Sequence, residues 1–270
     1  MSLKVRDIRD IMESYAPSYL KESYDNVGLM VGDLDSEITK ILIALDCTLD
    51  VIKEAVDKNC NLIVSHHPLL FLKPSTITND TLQGKKIIEL IRNNINLYSS
   101  HTNLDVATDG MNDIITKLLG FNEWTVLEPC SLASEGKEQG IGRLVELEDA
   151  ITLISLCKKV KEKLKIDSLR YSGDGEKLIN KIAIVNGSGE DYFKQAFKAG
   201  AECIITGDTS YHYVSDYSEM GIGIIDAGHF ETEWPSMIVV SEKLKRVLNE
   251  EGYSNEVVVS DKCKPVYKFF

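Results

Sequence analysis

The chain has 270 residues, of which 43% are hydrophobic and 27% charged, enough for two domains with cores of their own. Its 42 acidic residues against 30 basic ones give a formal net charge of −12, which argues against a broad phosphate-binding surface and hence against a nucleic-acid binder. The six cysteines are scattered without a Cys-x-x-Cys pair, the start is charged and amphipathic, and no apolar stretch reaches the length of a membrane span, so a cytoplasmic protein is expected.

In chain order, Ile8, Ile11, Met12 and Tyr15 recur at helical spacing and Pro17 closes a first helix. ILIAL (41–45) is a short apolar run, the pattern of a strand covered on both faces. Thr48 then opens the helix TLDVIKEAVDKN, with Val51, Ile52, Ala55 and Val56 on one face. LIVS (62–65) is the next strand, QGKKIIELIRNN (83–94) a helix, INLYSS (95–100) a strand, and TDGMNDIITKLLG (108–120) a helix stopped by Gly120. Such alternation predicts a parallel α/β sheet.

From residue 121 the pattern weakens into polar, glycine-bearing sequence, and a boundary is placed near 126, giving domains 1–126 and 127–270. Alternation then resumes with RLVEL, the helix AITLISLCKKVKEKLK, the strand KIAIV (181–185), the helix EDYFKQAFKAG, and the strands CIIT (203–206) and IGIIDAG (222–228). A last helix beginning at Trp234 leads to the strand NEVVVS; the sequence leaves open on which domain this closing segment, about 234–270, packs.

Residues 40–67 can be laid on residues 181–208 without a gap, so that Ile41 meets Ile182, Ile43 meets Ile184 and Ile63 meets Ile204. Any two strand-helix-strand units share apolar strands, which accounts for the isoleucines alone. A second match lays His101-Thr-Asn-Leu-Asp105 on His229-Phe-Glu-Thr-Glu233, putting a histidine after a strand and a carboxylate four residues later in both halves. The expectation is two related α/β domains with mostly parallel sheets.

All five histidines, His66, His67, His101, His212 and His229, follow predicted strands, where open parallel sheets place their ligand crevice, and none is expected on a helix face. Within a strand the neighbours His66 and His67 would point to opposite faces; at a strand end, before Pro68, they can serve two ions side by side. Imidazole with carboxylate suits zinc, iron, manganese, cobalt or nickel and disfavours calcium. Asp105 and Glu233 would each supply a carboxylate, one from each half, for a dinuclear hydrolytic centre between the domains. The competing explanation is that Asp105 and Glu233 only cap the helices that follow them.

NGSGED (186–191) is a glycine-rich turn, better explained by a positive φ than by anion binding, since it lacks the P-loop lysine. In TGDTSYH (206–212) the repeat puts Gly207-Asp208 where the first half has its histidine pair. Asp208 and His212 there are either partners of the metal ligands and proton carriers or residues of a surface helix.

YDNVGLMVG (24–32), NLIVSHHPLLF (61–71), SSHTNLDVATDGMND (99–113), NGSG (186–189), ITGDTSYH (205–212) and IDAGHFETE (225–233) occur in this order. Together they resemble the family of GTP cyclohydrolase 1 type 2 homologues, also known as the interacting-factor-three-like, dinuclear-metal-centre hexameric proteins. The resemblance implies two α/β domains, a ring-shaped homohexamer, and two divalent metal ions held by His66, His67, Asp105, His229 and Glu233, with Glu233 bridging. His101 belongs to the matched motif as a residue beside the ligands. Longer members carry an extra domain between the halves, so this chain resembles the short form. Tyr24 stands where many relatives have tryptophan, and Tyr211 where many have a second histidine, which weakens a catalytic role for His212. The expected function is a metal-dependent hydrolase, cyclohydrolase- or phosphoesterase-like, acting on a nucleotide-like small molecule, with Asp208, His212 or His101 moving protons. The alternative is a metal-binding hexameric scaffold or storage protein without turnover.

Overall fold

The computed structural model describes residues 2–133 and 138–269; residues 134–137 of the polar stretch lie outside the described residues. The chain forms two compact units. One holds the residues up to Leu104 together with Met237–Lys264; the other holds Asp105–Ser236 and the residues from Pro265. The polar stretch after residue 121 thus falls inside the second unit.

The first unit carries α1 (Val5–Tyr15), β1 (Gly28–Val31), β2 (Lys40–Ala44), α2 (Leu49–Asp57), β3 (Leu62–Ser65), α3 (Leu82–Arg92) and β4 (Asn96–Ser99). A short helix, α4 (Thr102–Val106), follows. Thr48 caps α2 by accepting from the Val51 N–H, and Thr81 caps α3 by accepting from the Gly84 N–H. The last strand, β11 (Glu256–Val259), comes from the far end of the chain and completes this sheet, whose order is β1-β4-β3-β2-β11. Only β1 runs antiparallel, against β4. Strand side chains alternate between faces: Leu42, Ala44, Ile63 and Leu97 form one core with Val51, Ile52 and Ala55 of α2 and Leu90 of α3. Ile41, Ile43, Leu62 and Val64 on the opposite face are equally buried, as expected of a sheet covered on both sides.

β11 is tied down beyond its backbone ladder. The buried carboxylate of Glu54 on α2 accepts from Ser260 Oγ, from the Asp261 N–H at 2.8 Å and from Lys58 Nζ at 2.7 Å. Burial alone would raise this carboxyl; the three donors outweigh it and hold the pKa below the usual glutamate range.

The second unit contains α5 (Met111–Leu118), β5 (Thr125–Pro129), β6 (Gly140–Thr152), α6 (Leu153–Leu164), β7 (Arg170–Ser172), β8 (Leu178–Ser188), α7 (Phe193–Lys198), β9 (Cys203–Gly207), α8 (Tyr211–Glu219) and β10 (Gly223–Asp226). Helix α9 (His229–Glu250) begins in this unit. The sheet order is β5-β6-β8-β9-β10-β7; the parallel trio β8-β9-β10 is extended on both sides by antiparallel strands. Its core sets Ile182, Ile184, Cys203, Ile205 and Ile225 against Leu156, Cys157 and Val160 of α6, Ile115 of α5 and Leu119 directly after it. The fully buried Arg143 donates to Asp113 and to the carbonyls of Gly140 and Gly142, so the charge is paired where water cannot reach it.

The repeat is visible in the strand registers. Ile41 pairs with Leu62 and Ile43 with Val64 in the first sheet; Ile182 pairs with Cys203 and Ile184 with Ile205 in the second. These are the same pairs under the alignment of residues 40–67 with 181–208. Among the described residues, no helix is long and apolar enough to cross a membrane.

Candidate functional site

In the first unit the candidate residues stand at the carboxyl ends of parallel strands. His66 and His67 directly follow β3, and His101 follows β4. The three rings gather, with centroids 5.1 Å apart for His66–His67 and for His66–His101 and 5.6 Å for His67–His101. One ligand nitrogen from each lies within 4.8 Å of the other two. His101, expected beside the ligands, is therefore part of the same donor group as the pair.

Each ring is fixed through Nδ1. His66, fully buried, donates to the Ser100 carbonyl at 2.9 Å, His67 to Asp46 Oδ1 at 2.8 Å, and His101 to Asp25 Oδ1 at 2.9 Å. A carbonyl or a carboxylate oxygen can only accept here, so the proton sits on Nδ1 and the lone pair of the neutral ring on Nε2. That is the arrangement in which a protein presents histidine to a metal ion, with an acceptor behind the ring setting its tautomer and angle. Burial would raise the Asp25 carboxyl, but hydrogen bonds from His101 and from Thr102 outweigh it and hold it well below the usual carboxylate range. Asp25 is thus a standing anion behind His101.

The second unit repeats the device. His229 is the first residue of α9 and Glu233 lies one turn on, so both share a helix face. His229 Nδ1 donates to Asp208 Oδ2 at 2.8 Å, and its Nε2 lies 2.9 Å from Glu233 Oε2. Asp208 ends the strand equivalent to β3, and under the repeat it occupies the position of His67. The loop before His229 is held by Asp226, which accepts from Thr209 Oγ1 at 2.7 Å, from the Gly228 N–H at 3.1 Å and from Arg170. Gly207 lets β9 end against the start of α9: a Cβ there would lie 2.5 Å from the His229 nitrogen.

The NGSG turn serves this half in a different way from anion binding. The Gly187 N–H donates to Thr232 Oγ1 at 2.9 Å and the Gly189 N–H to Thr206 Oγ1 at 3.0 Å. Gly187 has φ +59, and a Cβ on it would come within 2.2 Å of Glu233 Oε1, so the turn packs on the carboxylate.

Asp105 lies in α4 and accepts from Asn186 Nδ2 at 2.8 Å. Neither carboxylate is a cap: Gly110 occupies the N-cap of α5, and Glu233 is inside α9. The expectation that no histidine lies on a helix is corrected for His229 and for His212, which is exposed on the first turn of α8 with the Tyr211 ring 5.5 Å away. His212 is outside the donor group of the first unit. The partners Asp25, Asp46 and Asn186 were not singled out from the sequence. The first lies in the YDNVG motif, and the other two directly after apolar strand cores, which is the signal that could have found them.

A family model described as Duf34/NIF3 (NGG1p interacting factor 3) matches residues 3–265. The chain belongs to this family. The resemblance drawn from the motifs therefore holds. A Clostridium acetobutylicum protein called GTP cyclohydrolase 1 type 2 homolog is 57% identical over 269 residues, covering 100% of both chains. One of the same name from Clostridium perfringens is 53% identical over 99% of this chain and 100% of its own. A Staphylococcus aureus hypothetical protein of known crystal structure superposes with a TM-score of 0.89 at 30% identity, with both chains fully covered. This DUF34/NIF3 member thus holds histidine and glutamate groups whose chemistry fits a metal ion: nitrogen and carboxylate donors, each ring backed by an acceptor.

Proposed function

We propose that this member of the family is a cytoplasmic, dinuclear metal-dependent hydrolase acting on a nucleotide-like small molecule, by cyclohydrolase- or phosphoesterase-like chemistry. The observation that carries the reading is that His66, His67, His101 and His229 all have Nδ1 on a carbonyl or a carboxylate. A core histidine needs one satisfied nitrogen; four rings fixed in the same sense are what ligand presentation requires.

His66, His67 and His229 would hold the ions through Nε2, and Asp105 and Glu233 through carboxylate oxygens, with zinc, iron, manganese, cobalt and nickel all compatible. When bound, such ions supply Lewis acidity and lower the pKa of a water that then acts as nucleophile. Asp46 and Asp208 keep His67 and His229 in the ligating tautomer. His101, with the Asp25 carboxylate behind it, would carry a proton at Nε2, and His212 is the further candidate from α8. Asp208 acts through His229 and is a positioning residue. The family resemblance also supports a ring-shaped homohexamer, whose solution mass would be six times that of one chain.

The test combines elemental analysis of protein purified without chelator with turnover of GTP and a panel of phosphoesters. Two ions per chain and turnover that Glu233→Gln abolishes support the reading. Full metal occupancy with no turnover leaves a metal-loaded scaffold instead.

A further inference from the structure

A cavity of about 340 Å³ opens beside His67, within the range of small-molecule sites at about 300–1,000 Å³. Its walls come from the first unit alone: Asp46 and His67 from the ends of two strands, Pro68 and Leu69 from the segment after them, and Leu82 and Lys86 from α3. The Leu69 wall is preformed, because Gln83 Nε2 donates to the carbonyls of Leu69 at 2.9 Å and Leu72 at 3.1 Å.

Lys86 is the unusual member. In a chain of net charge −12, Lys86 makes no hydrogen bond or ion pair among the described residues. Lys86 is half-buried and lines a concave space whose other polar side chains include Asp46, His67 and Gln83. Asp46 has Oδ1 on His67 Nδ1 at 2.8 Å, and Gln83 has its amide on the two carbonyls. One cation and apolar walls suit a ligand with an anionic group and an apolar or planar body. Lysine binds phosphate as a point charge with three donors, and a neutral nucleoside lacks the charge that this attraction needs.

We propose that this cavity is the substrate subsite, that Lys86 takes a phosphate of a phosphorylated small molecule, and that Pro68, Leu69 and Leu82 support the body of that ligand beside His67. The inference deepens the hydrolase reading and rests on it for the identity of the reacting site. It makes Lys86 a specificity residue that selects phosphorylated over unphosphorylated ligands.

The experiment is calorimetric titration of the full-length chain with GMP and with guanosine, on metal-loaded and metal-stripped protein, for wild type, Lys86→Met and Lys86→Arg. GMP is expected to bind at least tenfold more tightly than guanosine, Lys86→Met to erase that preference, and Lys86→Arg to restore most of it. Metal content and the thermal melt should be the same in all three proteins. Equal binding of GMP by wild type and Lys86→Met overturns the assignment, as does equal binding of GMP and guanosine or no binding of GMP. A chain that takes up no metal yet keeps the Lys86-dependent preference refutes the hydrolase reading while sustaining the subsite.

Discussion

Asp46 Oδ1 accepts from His67 Nδ1 at 2.8 Å, and the pair joins the ends of two neighbouring strands. An acceptor in that place sets the ring angle and makes the opposite nitrogen more basic. Asp46→Asn keeps the size but removes the charge and allows the wrong tautomer. The expected result is a loss of metal affinity of about 10–100-fold, the range for such partners. Competition with a chromophoric chelator measures it, and Asp208→Asn should act likewise through His229. Unchanged affinity in both variants would refute the presentation argument.

Gly187 is expected to resist substitution. Its φ of +59 disfavours any side chain, and a Cβ would sit 2.2 Å from Glu233 Oε1. Gly187→Ala should cost about 1–3 kcal/mol in urea unfolding, through backbone strain, and should also displace the carboxylate. Metal stoichiometry measured beside stability separates the two effects; both should fall.

Acid should loosen the seam between α2 and the residues after β11. The folded pKa of Glu54 is lower than its unfolded one, so the folded state binds fewer protons in that range. The contribution is complete above the ordinary glutamate pKa and is lost as pH falls through the lowered folded value. Glu54→Gln should flatten the pH dependence of stability in that window, and Glu54→Ala should cost about 2 kcal/mol at neutral pH through lost charge-assisted hydrogen bonds. Urea titrations from pH 7 down to pH 3, roughly the span over which carboxylates titrate, test this.

Thiol chemistry should separate the cysteines sharply. Burial pushes Cys47 up to about 12 and Cys157 to about 11, and raises Cys203 as well. A thiol so shifted holds almost no thiolate at neutral pH. Iodoacetamide applied to the native protein should label Cys130, which is partly exposed, and leave the other three until the chain unfolds. Peptide mass mapping reads the order of labelling; rapid native labelling of Cys203 would contradict the packing of the second core.

The buried strands were legible because ILIAL, LIVS and KIAIV leave no doubt about burial on both faces, and the repeat that joins them survives as a shared register. What the sequence hid were antiparallel strands with little burial to betray them. Gly28–Val31 is only half-buried along its length, and Arg170–Ser172 is largely exposed. The last helix was read from Trp234, beside Pro235, whereas α9 begins at His229 and carries Pro235 inside it at the cost of one backbone N–H. His229 and Glu233 were therefore recognised by spacing before they could be seen to share a helix face. The carboxylates behind the rings were the hardest part. Asp25 and Asp208 are far in sequence from the histidines they hold, and only the closing of the sheets shows which aspartate meets which ring.

β11 gives the chain a particular order of assembly. Until Glu256–Val259 has left the ribosome, β2 presents an open edge, with its N–H and C=O groups in water and ready to pair with any passing strand. A nascent chain cut short before that point would carry both histidines of the SHHP motif on an unfinished, adhesive sheet. Chaperone demand during synthesis should therefore peak late, and truncation libraries should turn from insoluble to soluble near the C-terminal strand rather than at the junction between the units.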